Sequence, residues 1–201
     1  KYPKKSIDKY GLVTSLKKVG IKKNDVIFIH SDISKIKKSN LNLKDHLNLI
    51  FNSLRQSVGS NGTLVFPAYF HDLNKKKIYF DLKLDSSSNT LGMLSKYVLN
   101  KSKVFRSANP LTSVVAIGPH AKKICNNKTG SSYGVNSPFD ILTKLNAKML
   151  FLGVDLKFMT YVHYAEQLVG VPHRYFKFHG NISYKNKKKM KLPIISYVRY
   201  L

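Results

Sequence analysis

Apolar positions along the chain follow two periods, one helical and one extended. Residues 7–19 carry Leu12, Leu16 and Val19 at helical spacing, with Gly20 as a stop. Residues 25–29 (DVIFI) are a short apolar run of the kind that forms a buried strand, and His30, Ser31, Asp32, Ile33 and Ser34 follow at once. Residues 43–58 put Leu47, Ile50, Phe51 and Leu54 on one helical face. After the turn at 59–62 (GSNG), residues 63–66 (TLVF) predict a second strand, stopped by Pro67. Residues 68–89 are polar, aromatic and irregular, and include Tyr69, His71, Asp72 and Asp81. A helix is expected over 90–100, with Ser88 or Asn89 as its cap.

The second half repeats the alternation. Residues 105–118 open with a polar turn and end as an apolar run that reads as a buried strand. A short helix over 119–126, a Gly/Ser loop over 128–137 and a helix opening on Pro138 come next. Residues 148–152 (KMLFL) predict another strand, and 159–169 a helix with His163 and Glu166 three apart on one face. Beyond Pro172 the chain turns aromatic and basic, with a turn expected over 185–191 and a strand over 194–198. Strands alternating with helices, without repeat or linker, predict a single α/β domain over 1–201 with helices on both sides of a sheet.

Composition narrows this picture. The 201 residues, 43% hydrophobic, suffice for a sizeable core and exclude a disordered chain. A lone cysteine, Cys125, excludes an intramolecular disulfide and fits a reducing compartment. No apolar run has the length to cross a bilayer, so a soluble, cytoplasmic protein is expected. The formal net charge is +25, mostly from lysine; the arginines are Arg55, Arg106, Arg174 and Arg199. Such a field attracts anions, whether nucleic acid, nucleotide phosphate or anionic lipid. Scattered lysines also describe an ordinary solvated surface. No nucleic-acid-binding signature accompanies them, so nucleic acid is not the expected partner.

The chemistry on offer is a set of polar clusters at element ends: residues 30–34, 106–113, 133–137 and 160–166. No phosphate-binding glycine loop, zinc motif or nucleophile elbow occurs, and the dispersed histidines suggest no metal site. An imidazole beside a carboxylate, as in His163 and Glu166, can serve as a base near neutral pH; a purely structural pair has the same spacing.

In order along the chain, several pieces together resemble the aminoglycoside 3-N-acetyltransferase family. They are His30-Ser31-x-x-Ser34, Gly62-Thr63-Leu64-Val65-x-Pro67, Arg106-Ser107-x-x-Pro110-x-x-Ser113, Ser137-Pro138-Phe139 and Thr160-x-x-His163-x-Ala165-Glu166. The resemblance implies a three-layer α/β/α sandwich with a central mixed sheet and transfer of an acetyl group from acetyl-coenzyme A to an amine. It implies His163 as general base with Glu166 beside it. Coenzyme A contacts would come from His30, Ser31, Ser34, Arg106, Ser107, Asn109 and Ser113. Backbone N–H groups over 109–113 would serve the thioester oxygen, and transfer would be direct, in a ternary complex. Tyr69, Asp72, Asp81 and Tyr133 are the residues expected at the acceptor.

The chain departs from the family in three ways. Asn109 stands where members commonly have histidine, Tyr133 and Gly134 where histidine is frequent, and the family usually continues further at its C-terminus. With ten Asp plus Glu against 35 Lys plus Arg, charge favours an anionic acceptor, such as an amino sugar carried on a nucleotide diphosphate for surface polysaccharide synthesis. Alternatives are a polycationic aminoglycoside, as in antibiotic resistance, and a non-catalytic basic module binding nucleic acid or an anionic polymer. The sequence leaves the oligomeric state open, a dimer included.

Overall fold

The computed structural model describes residues 8–36, 41–70, 79–80, 91–126, 129–184 and 191–200. Helix α1 (Lys9–Lys18) is capped by Asp8, whose carboxylate accepts from the Gly11 N–H, and it buries Leu12, Val13 and Leu16. Val19, expected on its apolar face, instead ends the helix and is 67% exposed. Helix α2 (Leu43–Val58) starts at Asn42, which exchanges hydrogen bonds with Asp45, and stops at Gly59.

Strands β1 (Val26–Ser31), β2 (Thr63–Pro67) and β6 (Lys148–Leu152) are parallel, with β1 between the other two. Burial on both faces explains why β1 and β2 read as unbroken apolar runs. Strand β5 (Val114–Ile117) runs antiparallel to β2, and the short β4 (Phe105–Arg106) antiparallel to β5. The order is β4-β5-β2-β1-β6, a mixed central sheet. Pro67 does not stop β2 but closes it, opposite Val114.

One face of this sheet packs on α1, α2 and α3 (Met93–Leu99), through Ile27, Ile29, Leu64 and Phe66 against Leu16, Ile50, Leu54 and Leu94. The other carries Phe28, Val65, Val114 and Ala116 against α4 (Ala121–Cys125), α5 (Pro138–Lys144) and α6 (Val162–Val169). The three-layer arrangement is thus present. Helix α3 is shorter than expected and begins after Gly92; Ser88 and Asn89 lie outside the described residues. Helix α6 begins three residues later than expected, at Val162, because Met159 is extended where it closes the 3-10 turn at 156–158.

A second sheet was not anticipated. Strands β3 (Tyr79–Phe80), β7 (Arg174–Tyr184) and β8 (Lys191–Arg199) form it in the order β3-β7-β8. The aromatic and basic run after Pro172 is therefore a long strand. Its mixed Tyr, Phe, Lys and His pattern follows from exposure: Phe176, Lys177 and Phe178 all face outward to a large degree. Among the described residues no helix is long and apolar enough to cross a membrane.

Candidate active site

The polar ends of the parallel strands lie at one edge of the central sheet, where α/β folds place ligands. His30 and Ser31 are the last residues of β1, opposite Phe151 and Leu152 of β6. The His30 ring stacks on Phe151 and meets Phe28 edge-on. It is 6% exposed, and its Nε2 has no hydrogen-bond partner among the described residues. Burial holds its pKa down at about 4, so the ring is neutral at physiological pH. Asp32 then bends the chain by accepting from Ser34 N and Oγ. Gly153, at φ +72°, passes so close that an added Cβ would lie 2.5 Å from the Asp32 carbonyl oxygen. Ser31 is partly exposed and Ser34 exposed.

The segment before β5 is a buried clasp. Arg106 donates from Nε to Ser113 Oγ and from Nη2 to the Ala68 carbonyl. Ser113 Oγ donates to the Ser107 carbonyl, and Ser107 Oγ accepts from Val114 N. Asn109 Nδ2 donates to the Gly130 carbonyl at 3.0 Å, and its Oδ1 accepts from Leu111 N at 3.1 Å. Arg106, Ser107, Asn109 and Ser113 are all buried. These side chains, expected to face coenzyme A, are bonded to protein. Of the backbone donors expected over 109–113, Leu111 N and Ser113 N already have internal acceptors.

His163 and Glu166 do come together. Helix α5 is fixed by Ser137, which caps it at Asp140, and Tyr164 of α6 donates to the Asp140 carboxylate. That docks α6, within which His163 Nδ1 lies 2.8 Å from Glu166 Oε2 three residues on. The imidazole is 32% exposed and meets the Tyr133 ring edge-on. Tyr133 in turn packs on Phe139. Tyr69 approaches the same place through Thr160 and Tyr133. Burial pushes both phenols well above their ordinary pKa, so both stay protonated.

Glu166 has further partners that the sequence reading missed. Arg174 Nη2 lies 2.7 Å from Oε2 and 2.9 Å from His163 Nδ1. His173 Nε2 and Arg199 Nη2 lie 3.5 and 4.0 Å from Oε1. Burial pushes the Glu166 carboxyl up, but the His163 hydrogen bond and the Arg174 charge outweigh it and hold the pKa below the ordinary value. The available signal was arginine itself, rare in a chain whose cations are mostly lysine. Asp72 and Asp81, expected at the acceptor, lie outside the described residues, as does His71. Among the described residues no cluster of His, Cys, Asp and Glu could hold a metal ion.

The profile of the family described as aminoglycoside 3-N-acetyltransferase matches residues 28–198. The chain belongs to this family. Aminoglycoside N(3)-acetyltransferase III of Serratia marcescens is 26% identical over 179 residues, covering 81% of the chain. The chain spans 65% of that relative's length. Among solved structures, AAC-IIIb in a binary complex with CoASH aligns with a TM-score of 0.84 at 23% identity, covering 96% of the chain and 77% of AAC-IIIb. AAC-VIa bound to sisomicin aligns at 0.83 and 19% identity, with 96% and 77% covered. At such identities the likeness is one of fold.

Proposed function

We propose that this protein is an acetyl-coenzyme A-dependent N-acetyltransferase whose acceptor is an amine of an aminoglycoside. The observation that carries the reading is the His163–Glu166 pair. An Nδ1–H bonded to an ionised carboxylate leaves Nε2 unprotonated and open to an acceptor. Acetyl-coenzyme A supplies an acyl carbon already activated as a thioester. His163 takes the amine's proton at Nε2, and Glu166 steadies the charged ring. Tyr133 and Tyr69 form the adjoining wall and stay protonated, as hydrogen-bond donors.

The residues present fit a pantetheine-like ligand at the end of β1. The buried His30 Nε2 is unpartnered among the described residues, and Ser31 beside it is partly exposed. His30, Ser31 and Ser34 are assigned to the coenzyme side. Arg106, Ser107, Asn109 and Ser113 are assigned to holding that side from behind.

An anionic nucleotide-linked sugar, favoured by net charge alone, has less support than an aminoglycoside. The relatives are aminoglycoside N(3)-acetyltransferases, and a neighbour in fold was solved with sisomicin. Glu166 already faces four basic groups, so it offers little to an acceptor's ammonium groups. Those would be met by other carboxylates, with Asp72 and Asp81 the ones assigned. The test is thiol release from acetyl-coenzyme A with sisomicin and with a nucleotide-linked amino sugar. Turnover with the nucleotide sugar alone would overturn the acceptor. His163→Ala should lower turnover by about 10²–10⁴-fold and leave thermal stabilisation by coenzyme A intact. Undiminished turnover would move the base elsewhere.

A further inference from the structure

We propose that Arg174 is a positioning residue for the His163–Glu166 pair, holding the carboxylate so that His163 carries its proton on Nδ1 and presents Nε2 as the base. The inference rests on the acetyl-transfer reading above. The Arg174 side chain is 5% exposed, and it bridges two parts of the fold. Nη1 donates to the Tyr197 carbonyl of β8 at 2.9 Å, while Nη2 reaches Glu166 Oε2 on α6 at 2.7 Å. The guanidinium thus ties the dyad to the second sheet.

The imidazole sits at a fork. Its Nδ1 lies 2.8 Å from a carboxylate oxygen, which only accepts, and 2.9 Å from a guanidinium nitrogen, which only donates. If Nδ1 carries the proton, it donates to Glu166 and Nε2 is free. If Nδ1 is bare, it accepts from Arg174, Nε2 holds the proton, and the ring cannot act as a base there. The outcome depends on where Glu166 Oε2 is held. Arg174 pins that oxygen by the shorter contact, in a charge-assisted bond, and is itself fixed by Tyr197. Without Arg174, the other basic groups around Glu166 lie on Oε1, at 3.5 Å for His173 and 4.0 Å for Arg199, and draw the carboxylate away from the ring. Both are well exposed, at 56% and 68%, and make loose anchors.

The experiment compares the unsubstituted chain with Arg174→Gln and Arg174→Lys. Arg174→Gln should lower kcat by about 10–100-fold, the usual cost of losing a group that orients a ligating or catalytic side chain, with KM for acetyl-coenzyme A unchanged. Arg174→Lys should recover part of kcat. Nitrogen-15 spectra of the ring, assigned by His163→Asn, should show the Nδ1–H tautomer in the unsubstituted chain and a mixture in Arg174→Gln. Wild-type kcat in folded Arg174→Gln, or an unchanged tautomer, would overturn the proposal. So would a kcat loss that only follows a loss of folded protein in thermal unfolding. If the unsubstituted chain transfers no acetyl group, the functional reading fails, and the nitrogen-15 result still decides the positioning role.

Discussion

Asn109→Ala separates a structural from a chemical role at the position where the family commonly has histidine. Asn109 is 2% exposed; besides a long donation from Nδ2 to Ser132 Oγ at 3.5 Å, its amide makes two shorter bonds. Nδ2 donates to the Gly130 carbonyl, which also accepts from Ile195 N at 2.9 Å. That carbonyl stays paired after the substitution, so the net loss there is about 1 kcal/mol. Oδ1 accepts from Leu111 N, which loses this acceptor in a partly buried setting. An orphaned amide costs about 1–3 kcal/mol. The sum is about 2–4 kcal/mol. At roughly 2–4 °C per kcal/mol for a chain of this size, Tm should fall by about 5–15 °C. Urea unfolding should give a lower midpoint at unchanged m. Thiol-release turnover, measured well below the lowered Tm, should stay within about threefold of the unsubstituted chain. Wild-type Tm with turnover abolished would refute the reasoning, because Asn109 would then touch the reacting groups.

Two further expectations concern Glu166 and Cys125. The Glu166 pKa is held below its ordinary value, so the stability it confers is fully present above the unfolded carboxyl pKa, about 4.3, and is lost as pH falls through the folded value. Glu166→Gln should therefore be less stable at pH 7, by roughly 1.5–3 kcal/mol, since Arg174 loses a charged acceptor; the gap should narrow as pH falls below the unfolded carboxyl pKa, and a constant gap in urea unfolding would refute this. Cys125 is 5% exposed and burial pushes its thiol pKa up, so Ellman's reagent should label it only on unfolding, and fast labelling of the native chain would show the helix packing around it to be open.

The central layers were legible because their residues obey one period each. The ends of α2 and the start of α5 fall where Asn42, Gly59, Ser137 and Pro138 put them. The late start of α6 was not legible. Met159 continues the apolar spacing of the helix in sequence, but its backbone is extended at the end of the 3-10 turn over 156–158. The second sheet was missed because its exposed strand β7 mixes Phe, Lys and His without a clean alternation. The His163–Glu166 contact is legible, since both residues lie on one helix. Arg174 comes from the strand that was not seen, and no local spacing ties it to Glu166. The polar turn at 106–113 stands out in the sequence as a cluster of hydrogen-bonding side chains, but no spacing gives their partners. Only burial shows that they bond to one another.

Two groups of contacts that tie the second sheet to the central layers lie beside the candidate site. Asn109 and Thr112 bind residues 130 and 132, which pair with Ile195 and Ser196 of β8. Arg174 and Arg199 bind Glu166 of α6. Gly130 fits the first anchor because a Cβ there would lie 1.7 Å from the Pro193 carbonyl oxygen. Arginine fits the second because one planar fork can reach a carboxylate and a carbonyl at once, which a lysine ammonium does less well. The same logic covers Arg55, on the Gly62 carbonyl, and Arg106, on Ala68 and Ser113. In this chain lysine supplies the bulk of the charge, whereas each arginine donates to, or lies close to, a defined acceptor. Net charge is therefore a poor guide to the acceptor. The field that a substrate meets at Nε2 is set by the buried, directed Arg174 and the carboxylate it pins, while the surface lysines are screened within about 8–10 Å.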